Sequence, residues 1–399
     1  MSRRCAAYNL AMAFADAPFD VQVQGSGAVA LAAALALGRL GLRVGLAANA
    51  APADAMAADV RAYALNARSI ALLQSLKVWD ALPVDARTAV HDMHVEGDVP
   101  GAALHFSAWQ QGVDQLAWIV DATALESALR DAIRFAPHVQ MRTAPAEVAI
   151  AVAVAVADTA PAGLRLYAEG RDAASRTALG VQMPLHQHGQ RAVAARLVAS
   201  QPHAGLARQW FRSPDVLALL PFDRPQAGCS YGLVWSLPQA RALELMAATE
   251  ADFNTALMDA SGGAAGTLSL ASARADWPLA SGRASAVCGP GWALLGDCAH
   301  VVHPLAGQGL NLGLADVAVL AEVIAAREPW RELGDERLLR RYARQRELPT
   351  RAMLHVTDGL LELFASPSPW LRELRNRGLT LVNRLGPIKR ALTARALDG

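Results

Sequence analysis

Residues 19–47 read FDVQVQGSGAVALAAALALGRLGLRVGLA, and this stretch decides the fold. Apolar and polar residues alternate at its start, which predicts a strand that ends at Gly25-Ser26-Gly27. The run from Ala28 to Leu40 is rich in alanine and leucine and predicts a buried helix. Because Arg43 to Ala47 then predicts a second strand, the segment has the order of strand, turn, helix and strand that opens a Rossmann-type fold.

The turn before the helix has the small residues that a dinucleotide site requires. Gly25 permits the tight turn, Gly27 lets a pyrophosphate approach the backbone, and Ala30 lets the helix pack close to the strand. The N-terminus of the helix offers free N–H groups to a phosphate. We therefore predict cofactor binding here, with a ligand-free tight turn as the alternative. The acid that normally ends the second strand and binds a ribose is missing, and only Asn49 offers a polar side chain.

Composition narrows the class of function. The 399 residues are 53% hydrophobic and 18% charged, which excludes disordered and fibrous proteins and suggests more than one domain. The 37 basic and 36 acidic residues nearly balance, so we expect no nucleic-acid partner. No two of the four cysteines form a CxxC pair, which favours a reducing compartment. Residues 3–17 faintly resemble a signal peptide, but Tyr8 and Asn9 interrupt the pattern, and we expect a cytosolic extension.

Further along the chain, the apolar pattern predicts alternating helices and strands at both ends and a strand-rich middle. Helices are predicted over Asp59–Leu76 and Asp121–Ile133, and mainly helical structure from Asn311 onward. The predicted strands include Val148–Ala157, Leu164–Tyr167, Val216–Leu220, Tyr231–Trp235 and Trp292–Leu295. This order predicts an α/β fold in which a Rossmann-type nucleotide-binding domain is interrupted by a β-rich substrate domain and followed by C-terminal helices.

The predicted domain boundaries follow from that order. The nucleotide-binding domain takes residues 18–75, 110–180 and 285–345, and the substrate domain takes residues 76–109 and 181–284. Residues 346–399 form a C-terminal helical region. No segment is expected to span a membrane; the run Ala28–Leu37, for example, is shorter than the roughly 20 residues that a span needs.

The most informative motif is residues 296–313, which read GDCAHVVHPLAGQGLNLG. At the end of a strand, Asp297 can accept hydrogen bonds from ribitol or ribose hydroxyls. Gly307 and Gly309 allow a close approach to the backbone. A helix predicted to start near Leu310 directs the positive end of its dipole at this loop, which favours a negatively charged ligand.

Other readings of this motif compete with a cofactor loop. Cys298, His300 and His303 could form a metal cluster, but a fourth ligand is not evident, and we predict no metal. His300 could also be a core histidine. The chain contains no GxxxxGK[ST], HExxH or GxSxG motif.

The motif GD-x-AH-x-x-HP-LAGQGLNLG resembles the second flavin-binding motif of the ubiquinone-biosynthesis hydroxylases, a branch of the para-hydroxybenzoate-hydroxylase-like flavin monooxygenases. The resemblance runs from about Phe19 to the C-terminus. Residues 59–66, DVRAYALN, are similar to the segment whose arginine contacts FAD. The resemblance implies an FAD site made of Gly25, Gly27, Ala30, Arg61, Glu169, Gly296, Asp297, Gly307, Gln308, Gly309, Leu310 and Asn311.

The chain departs from the family pattern at several expected flavin contacts. The Asp-Gly motif of the family reads Glu169-Gly170 here, and its serine falls on Ala173. With Ala30 and Ala48, these changes predict weaker FAD binding. The alternative roles are a surface turn for Glu169 and, for Arg61, a solvated charge at a helix start.

The resemblance implies reduction of FAD by NAD(P)H and then reaction with O2 to hydroxylate a phenolic ring. The resemblance places Pro304, Leu305 and Ala306 beside the flavin. It also implies that backbone groups of Gly307 to Leu310 hold the flavin. We predict His303 and Pro304 as the catalytic residues. His303 is the candidate to polarise the substrate, and its alternative role is to stabilise the loop by hydrogen bonds.

The substrates of this family are polyprenyl phenols, which implies access from a membrane surface. Residues 371–397 combine apolar and basic residues and could lie on anionic lipid or pack as a solvated helix face. We expect a cytoplasmic protein with peripheral contact to the inner membrane and with partners in a multienzyme complex. Two alternatives stay open: a degenerate scaffold protein of a ubiquinone-synthesis complex, and another flavin oxidoreductase of the same fold, such as an isoprenoid reductase.

Overall fold

The structure is a computed structural model that describes residues 19–49, 59–97, 102–144, 163–303 and 308–365. Its helices are α1 (Ala28–Arg39), α2 (Ala67–Ser75), α3 (Ala108–Gln111), α4 (Ala122–Arg134), α5 (Ala174–Ala178), α6 (Gln239–Ala247), α7 (Glu250–Ser261), α8 (Gln308–Ala325) and α9 (Glu336–Ala365). Short 3-10 helices cover Trp79–Ala81, Val84–Ala86 and Gly296–Cys298.

The strands of the described residues are β1 (Val21–Gln24), β2 (Val44–Asn49), β3 (Ala62–Leu65), β4 (Arg87–Val90), β5 (Asp92–Glu96), β6 (Ala103–Ser107), β7 (Ala117–Asp121), β8 (Val139–Ala144), β9 (Leu164–Tyr167), β10 (Leu185–Ala199), β11 (Leu206–Arg212), β12 (Asp215–Phe222), β13 (Ser230–Pro238), β14 (Leu268–Leu270), β15 (Ala275–Arg283), β16 (Cys288–Gly289), β17 (Trp292–Leu294) and β18 (His300–Val301).

A six-stranded sheet in the order β16-β17-β9-β1-β2-β8 carries the predicted Rossmann-type unit. β1 runs parallel to both β2 and β9, so the carboxyl ends of these strands meet at one edge. Helix α1 connects β1 to β2, packs against α4 and α8, and buries most of its residues. A helix buried on most of its surface needs small and apolar residues, which explains its alanine- and leucine-rich sequence. The predicted α/β fold is confirmed.

A nine-stranded sheet in the order β18-β15-β10-β13-β12-β11-β5-β6, with β14 beside β10, forms the second layer. Helices α6 and α7 cover one face, where Val193 and Trp235 pack with Phe253 of α7. Side chains alternate across a strand, and Ala194, Val234 and Ala218 pair across β10, β13 and β12. These three residues therefore point to the opposite face, which α6 and α7 leave uncovered.

A third sheet, β3-β7-β4, is antiparallel and connects the two layers. Its strands β4 and β7 contact β12, and β3 contacts α8. Strand β4 lies in the predicted substrate-domain range 76–109, whereas its partner β7 lies in the predicted nucleotide-binding range 110–180. The third sheet therefore joins segments that were assigned to different domains, and the domain boundaries stay a prediction.

The predicted helix over Asp59–Leu76 is wrong in its first half. Ala62–Leu65 form strand β3, and helix α2 begins only at Ala67. Asn66 accounts for the break, because its side chain accepts a hydrogen bond from Ser69 N at 2.9 Å and caps α2. Antiparallel pairing with β7 holds β3 in its sheet, which the periodicity of one segment cannot reveal.

The other predicted elements lie close to the observed ones. The helix predicted over Asp121–Ile133 is α4, which Asp121 caps by accepting from Ala124 N at 2.8 Å. The later predicted strands correspond to β9, β12, β13 and β17. The helix predicted near Leu310 begins at Gln308. The strand predicted over 148–157 lies outside the described residues.

Helix α8 is long and apolar enough to cross a membrane by length and composition alone. It packs instead against α1, α2 and α9, and half of it is buried. That environment is typical of the core helix of a globular domain.

Candidate cofactor and active site

The glycine turn before α1 has the geometry of a phosphate cradle. Gly25 has a φ of +140°, and a Cβ on it would lie 2.3 Å from the carbonyl oxygen of Ala168, so only glycine fits. At Gly27 a Cβ would enter nearly open space, with the Glu126 carboxylate as its neighbour at 4.0 Å. Gly27 is the N-cap of α1, and no side chain caps this helix. Its first N–H groups can therefore bind an anion.

Small residues bring the second motif against this turn. Ala30 is fully buried, and its Cβ lies 3.0 Å from the position that a Cβ on Gly25 would take. On the same helix, Val29 touches two glycines of the GD motif. A Cβ on Gly296 would lie 3.3 Å from a Val29 methyl group, and one on Gly313 would lie 2.6 Å from it. The two sequence motifs thus meet where α8 packs against α1.

Asp297 lies beside the point where the two motifs meet. It follows β17, its side chain is exposed, and its Oδ1 lies 4.0 Å from the position of a Cβ on Gly309. Desolvation by the surrounding protein raises the pKa of Asp297, and His300, Arg61 and Arg171 oppose the rise. An acceptor beside the first turn of α8, where the backbone can be approached closely, suits the hydroxyl groups of a ribitol or ribose.

Arg61 lies near Asp297 and immediately before β3. Its guanidinium forms a two-pronged ion pair with Asp59, with Nη2–Oδ2 at 2.7 Å and Nε–Oδ1 at 2.9 Å. This hydrogen bonding raises the pKa of Arg61, and Glu126 and Asp297 lie within electrostatic range. Its side chain is still 46% exposed and can reach a ligand. Because Arg61 precedes a strand, the alternative of a charge at a helix start is wrong.

Helix α4 supplies two charged groups that the sequence analysis missed. Glu126 lies beside Gly27, and burial raises its pKa while Arg61 and Arg130 oppose the rise. Arg130 donates from Nη2 to the carbonyl oxygen of Ser26 at 2.8 Å and so fixes the glycine turn. No sequence pattern indicated that Glu126 and Arg130 lie at the glycine turn, because only the packing of α4 on α1 brings them there.

Glu169 is bonded within the protein. Its Oε2 accepts from Ser175 N at 3.3 Å, near the start of the short helix α5, which has no cap from Ala173. Desolvation raises the pKa of Glu169. The carboxylate thus stabilises a helix end, and its contact with a cofactor stays a prediction.

Asn311 connects α8 to the chain around β3. Its side-chain oxygen accepts from Asn66 N at 3.0 Å and from Ser69 Oγ at 2.7 Å. Its Nδ2 donates to the carbonyl oxygen of Ala64 at 2.7 Å. Because its side chain makes these hydrogen bonds, any contact of Asn311 with a cofactor would come from its main chain.

The remaining predicted cofactor residues lie at or before the start of α8. Gln308, Gly309 and Leu310 form its first turn, and all three are partly exposed. Pro304 and Gly307, with the two residues between them, lie outside the described residues, so their roles stay predictions. Among the residues that the structure describes, no three His, Cys, Asp or Glu side chains are placed to hold a metal.

Asp316 is a further residue that the sequence analysis missed. It is fully buried and accepts hydrogen bonds from Gly296 N at 2.9 Å, His300 Nε2 at 2.7 Å and Arg346 Nε at 2.6 Å. Burial opposes its ionisation, but His300 and Arg346 hold the pKa of Asp316 below its usual range. This Asp316 clasp fixes Gly296, and with it Asp297, to α8 and α9. An acidic residue inside an apolar helical run was the signal that could have indicated it.

His303 is completely buried beside the ring of His188. It is 0% exposed, and neither of its ring nitrogens has a hydrogen-bond partner among the described residues. Burial, with a contribution from His188, lowers the pKa of His303 to about 3. His303 is therefore uncharged at neutral pH and can act on a substrate by hydrogen bonding rather than by taking its proton.

A helix start that is open to phosphate, beside a carboxylate that can accept from sugar hydroxyls, is what a flavin nucleotide requires of a Rossmann-type sheet. The sequence profile of the FAD binding domain family matches residues 18–357, and the chain belongs to this family. The open backbone at Gly27 and the Asp297 carboxylate fit the pyrophosphate and ribitol of FAD.

The chain is similar to several curated proteins along nearly its whole length. It is 29% identical to 3-demethoxyubiquinol 3-hydroxylase of Escherichia coli, with 95% of this chain and 98% of that protein covered. It is 28% identical to the ubiquinone hydroxylase UbiL of Rhodospirillum rubrum, with coverages of 96% and 90%. It is 30% identical to the uncharacterized protein slr1300 of Synechocystis, with coverages of 98% and 95%. The predicted family resemblance is confirmed.

Solved structures share the fold. PqsL from Pseudomonas aeruginosa has a TM-score of 0.72 at 20% identity, with 91% of this chain and 99% of PqsL covered. The p-nitrophenol 4-monooxygenase PnpA from Pseudomonas putida has a TM-score of 0.71 at 17% identity, with coverages of 95% and 98%. The family match and the hydroxylase relatives identify the chain as an FAD-dependent monooxygenase.

Proposed function

We propose that the protein hydroxylates a polyprenyl phenol of ubiquinone biosynthesis, using NAD(P)H and O2. The observation that carries this proposal is the meeting of the two motifs. Helix α1 begins at the open backbone of Gly27 and contacts Gly296 through Val29, and Asp297 lies beside Gly309 in the first turn of α8. The two ubiquinone hydroxylases, matched over 98% and 90% of their own lengths, support the reaction and the substrate class.

FAD bound where the two motifs meet would supply the electron transfer from NAD(P)H and the reaction with O2. The first N–H groups of α1 would bind its pyrophosphate, and Asp297 would accept hydrogen bonds from its ribitol hydroxyls. The N-terminal end of α8 would favour negative charge on the bound cofactor. The Asp316 clasp keeps Gly296 and Asp297 aligned with that helix end.

The substrate lies, in this proposal, against the face of the nine-stranded sheet that α6 and α7 leave uncovered. Ala218 and Val234 are partly exposed there, and the small Ala194 lies beside Val234. An apolar surface of small side chains accommodates an aromatic ring and a prenyl tail. His303 is the proposed polar contact at one end of this surface.

Two further features belong to the proposal. The carboxylate of Glu126 beside the phosphate position predicts weaker FAD binding, because like charges repel in a partly buried site. A polyprenyl tail partitions into lipid, so we propose peripheral membrane contact and exchange of substrate within a multienzyme complex. The basic segment 371–397 that would make such contact lies outside the described residues.

The test begins with the absorption spectrum of the purified protein with and without FAD. The FAD-loaded protein is then given NAD(P)H, isotopically labelled O2 and a polyprenyl phenol, and the product is weighed by mass spectrometry. We expect one labelled oxygen atom in the product. A product with reduced double bonds and no label would indicate another flavin oxidoreductase of this fold. Failure to bind FAD even at high concentration would sink the proposal.

A further inference from the structure

Two histidines lie at one edge of the nine-stranded sheet, and the inner one lacks the partners that buried imidazoles normally have. His303 follows β18, is 0% exposed, and has no hydrogen-bond partner for Nδ1 or Nε2 in the described part of the chain. Buried polar atoms of native proteins are nearly always paired, because an unpaired atom has lost its bonds to water. An unpaired, completely buried imidazole therefore points to a ligand that supplies the missing bond.

His188 on β10 holds the ring of His303 in place. The two ring centroids lie 5.4 Å apart, and the planes meet at 85° in an edge-to-face contact. The side chain of His188 is only 9% exposed, and its Nε2 lies 3.1 Å from Ser281 Oγ and 3.9 Å from Asp358 Oδ1. The ring of His186 lies 4.9 Å from that of His188 and is exposed. The row of three rings leads from the buried His303 to the surface.

The charges around the His188–His303 pair decide which ligands it can accept. Within the described residues, the groups that act on its ionisation are His186 from β10 and Asp358 from α9, apart from the two rings themselves. Desolvation lowers the pKa of both imidazoles, to about 3 for His303, so both are uncharged at neutral pH. A carboxylate bound here would lie near Asp358, and within the described residues no arginine or lysine is among the groups that act on the ionisation of the two rings.

The pair borders the sheet face that we propose for the substrate, because His188 Nε2 lies 3.1 Å from Ser281 Oγ, and Ser281 has the same side-chain parity along β15 as Trp277. β18 joins β15 through the pairing of Val301 with Gly282. Along β15, Trp277 pairs with Ala192 of β10, which in turn pairs with Ser236 of β13. Ala192 has the same side-chain parity as Ala194, so this row shares the face that α6 and α7 leave uncovered.

We infer that His303 and His188 form a hydrogen-bonding station for the ring hydroxyl of an uncharged phenol, and that this station rejects carboxylated phenols. The inference rests on the proposed function and names the substrate class of the same site. One ring nitrogen of His303 accepts the hydrogen bond from the phenol O–H. His188 is a positioning residue that fixes the ring of His303. No proton changes owner in this step.

The experiment measures ligand binding to the FAD-loaded protein through the shift of its flavin absorption, with 2-methoxyphenol and 4-hydroxybenzoate as probes. At pH 7 we expect 2-methoxyphenol to bind about tenfold more tightly than 4-hydroxybenzoate. His303→Leu should weaken 2-methoxyphenol binding about tenfold, and His303→Asn should recover part of the loss. His138→Asn changes an exposed histidine in the turn before β8, which belongs to the other sheet, and serves as the control.

The melting temperature of the ligand-free protein separates a ligand-binding role from a structural one. We expect His303→Leu to leave it unchanged or to raise it, because the substitution removes unpaired polar atoms from the interior. Equal affinity for the two probes, unchanged 2-methoxyphenol affinity in His303→Leu, or a large loss of melting temperature with affinity retained would each overturn the inference. If His303→Leu does not fold, His188→Leu replaces it. If His188→Leu weakens the binding of 2-methoxyphenol but not that of 4-hydroxybenzoate, the result supports the station. Unchanged binding of 2-methoxyphenol in His188→Leu overturns it.

The product assay keeps this inference separate from the proposed function. A wild-type protein that binds 2-methoxyphenol through His303 but hydroxylates no phenol supports the station and refutes the hydroxylase. A wild-type protein that hydroxylates polyprenyl phenols, while His303→Leu binds 2-methoxyphenol as the wild type does, refutes the station alone.

Discussion

His300 and His303 are three residues apart and are both buried, yet their surroundings are opposite. His300 lies 2.7 Å from Asp316, whose other oxygen is held by Arg346 in the same clasp. His303 has no hydrogen-bond partner among the described residues. The first histidine holds the GD motif against α8 and α9, whereas the second leaves its hydrogen-bonding capacity to a ligand. Burial alone therefore does not show the role of a histidine. The role follows from whether its ring nitrogens have hydrogen-bond partners within the protein.

The same contrast separates Asn311 from Gly27. Asn311 makes three hydrogen bonds that connect α8 to the chain around β3. At Gly27 a side chain would meet nothing closer than the Glu126 carboxylate at 4.0 Å. A substitution at a residue whose hydrogen bonds are made within the protein, such as Asn311, should lower the free energy of unfolding. A substitution at a residue that borders open space, such as Gly27, should lower ligand affinity.

The largest effect is expected where the Asp316 clasp is broken. Asp316→Asn keeps the shape but leaves Arg346 buried without its carboxylate, so the free energy of unfolding should fall by about 3 to 5 kcal/mol. Urea unfolding measures this loss. Asp131→Asn, which breaks an exposed pair with Arg134, should cost less than about 1 kcal/mol. Similar losses for the two variants would show that the clasp is not a special feature of the fold.

Asn311→Ala should have the next largest effect. It leaves Asn66 N, Ser69 Oγ and the carbonyl oxygen of Ala64 without their partner, and we expect a loss of about 2 kcal/mol in urea unfolding. Asn254→Ala is the matched control, because Asn254 Oδ1 is buried and has no hydrogen-bond partner in the part of the chain that the structure describes. A loss at Asn254 as large as that at Asn311 would contradict the assignment of these bonds as stabilising.

His303 should make the free energy of unfolding depend on pH. Its folded pKa of about 3 lies below the ordinary value of 6.5, so below pH 6.5 the unfolded chain takes up a proton that the folded chain does not. Stability should then fall as the pH drops from 6.5 towards 4, by up to about 1.4 kcal/mol per pH unit from this group. The pKa of Asp316 is held below 3.8, so the contribution of its clasp is lost only at lower pH.

The measurement is the free energy of unfolding between pH 7 and pH 4.5 for the wild type, His303→Leu and His138→Asn. His303→Leu should show the flatter dependence, and His138→Asn should follow the wild type. Parallel curves for all three proteins would mean that His303 is not buried as an uncharged group.

The smallest effect on stability is expected at Gly27. Its φ of −84° is accessible to alanine, so Gly27→Ala should change the free energy of unfolding by less than about 1 kcal/mol. The added methyl group occupies the cradle, and FAD affinity should fall about tenfold in a fluorescence titration. Gly25→Ala is the contrasting variant, because its Cβ would lie 2.3 Å from the Ala168 carbonyl oxygen and should destabilise the fold itself. Equal FAD affinity of Gly27→Ala and the wild type would remove the cradle from the proposed site.

The parts of the fold that were predicted correctly depend on short stretches of chain. The β1–α1–β2 unit is encoded by alternation, a glycine turn and a helical run within residues 19–47. Strand β3 was missed, because its conformation depends on pairing with β7, more than fifty residues away, and not on its own periodicity. The break at Asn66 could have been found, since asparagine is a preferred N-cap.

By itself the sequence determined the class of protein: two local motifs, each made of adjacent residues, specified a Rossmann-type flavin site. Only the tertiary structure decided which polar residues of that site are used by the protein and which are left for ligands. Asp316 meets Arg346 thirty residues later, Asn311 meets Asn66 across most of the chain, and His303 makes an edge-to-face contact with His188. The physical reason is that a hydrogen-bond partner is set by where the chain returns in space, and a one-dimensional pattern contains no record of that return.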